Sequence, residues 1–325
     1  MSRLVKVLSI DGGGIRGIIP AMILADIEKR TQKPIAELFD LVAGTSTGGI
    51  LALGLTKPDG SGKPEHSAAS LARLYEKEGD RIFPKNIFTQ LRNLQDEKYP
   101  SAGIESVLEK YFGETRLSQA LTEVLITSYD IESRRPYFFK RTKSRNTPNS
   151  DDFPLKKVAR ATSAAPTYFE PLKLETADLT DYYALIDGGV FANNPALCAY
   201  VQARANFPDA TDFLVVSVGT GELTTTLPYD KVKGWGLVEW AQPILNVAFD
   251  GVSDTVHYQL KQLLPYSEGK RRYYRFQTKL NDRGDHMDDS SADNIRRLKL
   301  LAGSAIDDHE EALNSLQDQL LAPAT

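Results

Sequence analysis

Cysteine is almost absent: Cys198 is the single one in 325 residues. An internal disulfide is excluded, and the composition fits a reducing compartment. Histidine is scarce at four residues, which narrows the choice of a general base. No run of about 18 apolar residues occurs, so no membrane-spanning helix is expected and any membrane contact is peripheral. The N-terminal Met1-Ser2-Arg3-Leu4-Val5-Lys6-Val7 runs directly into a strand pattern without the apolar region of a signal peptide. The expected location is cytoplasmic, with peripheral contact at membranes. Positive charge is not in excess: 39 Lys and Arg stand against 43 Asp and Glu, a net charge of −4. Nucleic-acid binders are usually basic, so none of that kind of partner is expected.

What is present is a 41% hydrophobic fraction, enough to bury a large core. Leu4–Ile10, Glu123–Ser128, Phe213–Val218 and Tyr273–Phe276 read as strands. Ile18–Arg30, Ala68–Gly79 (capped by Ser67), Ser101–Phe112 and Pro154–Ala161 carry helical periodicity. Alternating strands and helices argue an α/β fold, a mainly parallel sheet covered on both faces, in a single domain over 1–325. Within it the motifs fall at 4–221 and a helical part at 235–320. Trp235–Leu264 reads as one or two helices broken at Pro243, with Trp235, Trp240 and Phe249 as core. Asp293–Leu320 reads as one long amphipathic helix bent near Gly303. The basic stretch from Arg134 to Arg145 reads as an exposed hairpin edge carrying gatekeeper charges, with a patch for anionic lipid as the other possibility.

Three local patterns carry chemistry. In the first, the apolar run Phe39–Ala43 ends in Gly44-Thr45-Ser46-Thr47-Gly48, and a helix-like run follows. This is the layout of a nucleophile elbow, in which a strained turn lifts the serine Oγ above the sheet and only glycine fits two residues either side. An ordinary glycine-rich turn is the competing reading.

The second pattern is Asp11-Gly12-Gly13-Gly14-Ile15-Arg16-Gly17, which joins the first strand to the first helix. Gly12, Gly14 and Gly17 match the spacing of a dinucleotide fingerprint, but that requires an acidic residue ending the second strand. Here that strand ends in the elbow, and Asp40 sits near its start. The other reading is an oxyanion hole, with glycine N–H groups aimed at developing negative charge beside Arg16. A surface or structural ion pair is the plainer role for Arg16.

A serine hydroxyl needs a proton acceptor. His286, in a loop after the last strand, stands where an α/β-hydrolase histidine would. The other candidate is Asp187, which ends a short strand and is followed by Gly188 and Gly189. The carboxyl end of a strand is where parallel-sheet proteins place their sites, although a turn-capping role is equally open. An ordinary aspartate, with a pKa near 3.9, accepts a proton only as the serine attacks.

In that order, Asp11–Gly17, Gly44–Gly49 and Asp187–Gly189 resemble the three blocks of the patatin-like phospholipases. The resemblance extends to Tyr111–Leu117, Ala164–Phe169, Ser217–Gly221 and Met287–Asp289, and covers nearly the whole chain. It implies a three-layer α/β/α hydrolase that releases fatty acids from glycerolipids through a Ser-Asp dyad and an acyl-enzyme, with neither metal nor cofactor. Membrane lipids or lipid aggregates are then the substrate. Carried over by position, Ser46 is the nucleophile and Asp187 the base. Gly12, Gly13, Gly14 and Arg16 lie at the oxyanion hole, joined by the N–H of Thr47 by analogy with other nucleophile elbows. Plant patatins carry a secretory signal and this chain shows none. The continuation Val190-Phe191-Ala192-Asn193-Asn194-Pro195 is more like the bacterial members.

Overall fold

The computed structural model describes residues 3–84, 99–146, 151–176, 178–240, 243–267, 269–280 and 286–322. Its centre is a sheet in the order β5-β6-β3-β2-β1-β7-β9. The strands are β1 (Leu4–Ile10), β2 (Leu41–Gly44), β3 (Glu123–Asp130), β4 (Arg135–Lys140), β5 (Leu172–Glu175), β6 (Tyr182–Asp187), β7 (Asp212–Val218), a short β8 (Glu222–Leu223) and β9 (Tyr273–Phe276). β1 lies parallel to β2 and β7, β2 to β3, and β7 to β9. β4 and β6 each pair antiparallel with β3.

Central strands buried on both faces explain the nearly continuous apolar runs. Residues of β1 enter opposite cores, Val5 and Val7 on one side, Leu8 and Ile10 on the other. The larger core receives helices Ile18–Thr31, Thr47–Thr56, Ala68–Ile82, Ser101–Phe112 and Leu155–Thr162, with the two C-terminal helices. The smaller core is covered by Ala196–Asn206 and Pro243–Leu263. The architecture is therefore the three layers expected. Helix Thr47–Thr56 is buried all round, which is why its sequence shows apolar character without a polar face.

Several details differ from the reading of the sequence. The C-terminal helix ends at Asp308 and a second runs Glu310–Leu321. The break is at His309, whose ring nitrogen bonds the Gln277 carbonyl at 3.1 Å, and not at Gly303. Strand β5, which the reading of the sequence did not include, is an edge strand of four residues whose positions alternate, Leu172 and Leu174 buried and Lys173 and Glu175 exposed. Phe83 and Tyr99 pack in the core with Phe169, their ring centroids 5.5 to 6.1 Å apart. Phe88, between them, lies outside the described residues. In the basic stretch, Arg141 pairs with Glu123 at 2.9 Å and Lys143 with Asp151 at 2.5 Å. Arg145 donates to the Ser118 carbonyl. Much of that charge is matched by neighbours, in keeping with the gatekeeper reading. Among the described residues no helix is long and apolar enough to cross a membrane.

Candidate active site

The sheet register brings the motifs together. Ile10, Gly44 and Val218 are level across β1, β2 and β7, so the loops that follow them emerge side by side. Gly44 is also level with Ile126 of β3, and Asp187 of β6 sits opposite Ser128, two residues further on. Asp187 thus reaches the level of Ser46. It does so from an antiparallel strand, so the rule about carboxyl ends of parallel strands points to the right residue for the wrong reason.

The elbow has the geometry its spacing requires. Ser46 holds φ 54° and ψ −124°, a conformation costing a non-glycine residue about 1–3 kcal/mol and kept only where the surroundings enforce it. They do: its N–H donates to Thr162 Oγ1 at 2.8 Å, and its carbonyl accepts from Ile50 at 3.0 Å. Before it, the Thr45 hydroxyl donates to the Ala192 carbonyl and accepts from Thr127. A Cβ on Gly44 would lie 2.2 Å from the Gly48 carbonyl oxygen, and one on Gly48 2.2 Å from that of Ile10. Both glycines are therefore enforced by backbone contact.

Ser46 and Asp187 line the same cavity, and the Ser46 side chain is close enough to the carboxylate to favour its charged form. Asp187 Oδ1 accepts the Gly189 N–H at 2.7 Å, and the Asp187 N–H donates to the Ala164 carbonyl. Gly188 admits this approach, since a Cβ there would lie 2.1 Å from Thr127 Oγ1. Burial of the carboxylate pushes its pKa up to about 7, against the smaller opposing effects of the Ser46 hydroxyl and the Gly189 N–H. The small-residue turn that begins at Thr162 is now explained. It passes close to both Ser46 and Asp187 and hydrogen-bonds each.

The glycine loop divides into two parts. Gly13 and Gly14 line a cavity of about 320 Å³ together with Ser46, Thr47 and Asp187. Gly12 and Arg16 do not line it. The Gly12 N–H donates to the Asn193 carbonyl at 3.0 Å, so it is already used within the fold. Arg16 is buried, and its Nε donates to the Gly13 carbonyl at 3.3 Å, holding the loop from behind. Gly14 sits at φ +58°, and a Cβ on it would be 2.1 Å from the Met287 carbonyl oxygen, which also accepts the Ile15 N–H. Thr220 Oγ1 donates to the Gly12 carbonyl at 2.6 Å. Beneath the loop, Asp11 is buried and ion-paired with Arg275 at 2.6 Å, and Arg275 also donates to Ser217. Asp40, the acidic residue a dinucleotide site would have needed, accepts the Lys6 N–H and pairs with Arg3 near the far end of the strand.

The cavity wall is mostly apolar, with Ile50, Phe83, Ile104, Phe169 and Phe249 among its residues. No histidine lines it among the described residues. His286 is exposed. His257 bonds the Tyr273 hydroxyl at 3.1 Å, and His66 lies 3.4 Å from the Tyr111 carbonyl. Sequence reasoning missed Asn193, Thr162 and Tyr75. The Tyr75 hydroxyl is hydrogen-bonded to the Thr47 side chain and donates to its carbonyl. In the sequence Asn193 reads as part of a helix cap, whereas the cap contact at 3.1 Å belongs to Asn194, on the Ala196 N–H. Only the run of two asparagines hints at two jobs.

A strained serine between β2 and a buried helix, backed by a glycine loop and a buried carboxylate, is the strand–turn–helix arrangement of a nucleophile elbow in an α/β fold. The family model for the patatin-like phospholipase matches residues 8–200. Patatin-like protein 2 of Oryza sativa subsp. indica is 35% identical, over 94% of this chain and 84% of its own length. Patatin-like protein 2 of Arabidopsis thaliana is 36% identical, over 85% and 76%. A distant likeness to the crystal structure of VipD from Legionella pneumophila has a TM-score of 0.35 at 12% identity, covering 94% of this chain and 67% of that one. It adds nothing to the fold described above. The chain belongs to the patatin-like phospholipase family, a family of lipid acyl hydrolases.

Proposed function

We propose that this chain, acting as one domain, cleaves fatty-acyl esters of glycerolipids by a Ser46–Asp187 dyad through an acyl-enzyme. The observation that carries the reading is the strained Ser46 and the buried Asp187 carboxylate facing one mostly apolar cavity. Ser46 Oγ attacks the ester carbonyl carbon as its proton passes to Asp187. The oxygen that becomes negative is received by the N–H groups of Gly13, Gly14 and Thr47. Gly12 and Arg16 support that hole from behind by holding the loop. Collapse of the tetrahedral intermediate expels the alcohol, which takes the proton back from Asp187. Water then adds to the acyl-Ser46 ester, again giving its proton to Asp187, and as the intermediate collapses Ser46 Oγ takes that proton back and the fatty acid leaves.

The raised pKa answers the weakness of an ordinary aspartate as a base. Near 7, the carboxylate has the proton affinity of an imidazole, where general-base efficiency at neutral pH is greatest. The apolar wall suits an acyl chain. The reading is tested by incubating the protein with mixed phospholipids and galactolipids and identifying released acids by mass spectrometry. Fatty-acid release should vanish in Ser46→Ala and persist in His286→Ala. Loss in His286→Ala with full activity in Asp187→Asn would replace the dyad by a Ser-His pair.

A further inference from the structure

The helical segment after β8 is exposed where its sequence suggested burial. Leu237 is 92% exposed and Tyr229 76%. Trp235 and Trp240, expected in the core, are only half-buried and pack edge-on against each other at 5.2 Å. Of thirteen exposed large hydrophobic side chains in the described residues, seven fall between Tyr229 and Tyr266. Ile244, Val247 and Tyr258 recur at helical spacing along one side of Pro243–Leu263, and a shared exposed face marks a contact surface, unlike single exposed apolar residues.

Helix Pro243–Leu263 links this surface to the cavity. Its inner face turns Asn246 and Phe249 into the cavity wall. Its outer face presents Ile244 and Val247, about half exposed. The same helix therefore has one apolar side at the site and another toward solvent. Charge then decides what kind of surface it fits. Over Tyr229–Leu263, Asp230, Glu239, Asp250 and Asp254 stand against Lys231, Lys233 and Lys261, and Lys233 is paired with Asp230 at 2.9 Å. Nothing in this stretch recruits an anionic surface, but aliphatic and tryptophan side chains suit the interface of a neutral one.

We propose that the outer face of Leu237–Trp240 and Pro243–Leu263 is the surface by which the protein settles on a zwitterionic lipid interface, on the helix whose inner face lines the cavity. This rests on the acyl-hydrolase reading for its purpose, though not for its test. The two tryptophans of the chain both lie in this segment, so intrinsic tryptophan fluorescence reports on it alone. Full-length Ser46→Ala mixed with phosphatidylcholine vesicles should co-sediment with them. Its tryptophan emission should shift to the blue, and salt should change neither result much. Leu237→Asp/Val247→Asp should weaken vesicle binding roughly tenfold or more. In the wild-type background the double variant should keep its rate on water-soluble p-nitrophenyl butyrate. Its rate on vesicles should fall by a similar factor.

An unshifted emission, or equal binding by the double variant, overturns the proposal. So does a double variant that changes the oligomeric state and leaves vesicle affinity untouched, because the occupant is then a second copy of the chain. Vesicle binding without hydrolysis by the wild type would instead sink the catalytic reading and leave the surface intact.

Discussion

Asp187→Asn should give a more stable protein that has lost about 10³-fold or more of its turnover, a typical loss when a positioned general base is removed. The stability gain follows from linkage. The folded pKa lies near 7, above the ordinary aspartate value of 3.8, so between those values the folded state holds a proton that the unfolded state has released. Stability therefore falls as pH rises through this window, and above it the charged carboxylate is a cost to the fold. A rise of that size corresponds to roughly 4 kcal/mol at most. Asparagine has the same shape without the charge. Its oxygen still accepts from Gly189, and its amide faces an Oγ able to accept. The unfolding free energies of the two proteins should nearly coincide at pH 4 and diverge by about 2–4 kcal/mol above pH 7. Thermal melts across that range, with activity on a soluble ester, check both halves. Equal melting curves at all pH values would show that Asp187 does not carry its charge in an apolar setting.

The second large effect is expected of Gly14→Ala. Its left-handed φ of +58° alone costs alanine about 1 kcal/mol. The more serious problem is the Met287 carbonyl oxygen, 2.1 Å from where the new Cβ would lie. That oxygen is also the acceptor for Ile15 N–H at 2.8 Å, so relieving the overlap displaces the loop that carries the Gly13 and Gly14 N–H groups. Loss of a hole donor typically lowers kcat about 10²–10³-fold. KM for a soluble ester should change much less, because an oxyanion forms only in the transition state. Steady-state kinetics with a circular dichroism check of folding decide it. A folded variant with wild-type kcat would remove the glycine loop from the chemistry.

The motifs were legible because each rests on a steric demand that leaves few residue choices. A Cβ on Gly44 or Gly48 would lie 2.2 Å from a backbone oxygen, and only glycine avoids that. Asp187 was legible only as one of two roles. What suits it to the proposed role of base is the burial around it and the Ser46 side chain near it, both supplied by segments far away in sequence. The fate of the Gly12 N–H was invisible for the same reason, since its acceptor lies far along the chain, at Asn193. Arg16 looked like an oxyanion partner from its neighbours, yet its side chain turns back to the Gly13 carbonyl. The layers followed from alternating strands and helices, whereas edge strand β5 is a four-residue Leu-Lys-Leu-Glu alternation, the shortest run that carries a period of two. Trp235 and Trp240 misled because large aromatics are usually buried, and nothing local in a sequence says which apolar face lacks a partner.

The central claim is that the buried Asp187 carboxylate activates Ser46. Its most direct measure is the rate at which a fluorophosphonate labels Ser46 as a function of pH, with the labelled peptide identified by mass spectrometry. Deprotonated Asp187 is the active form, so the rate should rise about tenfold for each step of one in pH below the pKa. It should level off near pH 7, where burial places that pKa. The rise should be absent in Asp187→Asn, which labels slowly at every pH. A pH-independent rate in the wild type, or a label on any residue other than Ser46, would contradict the account.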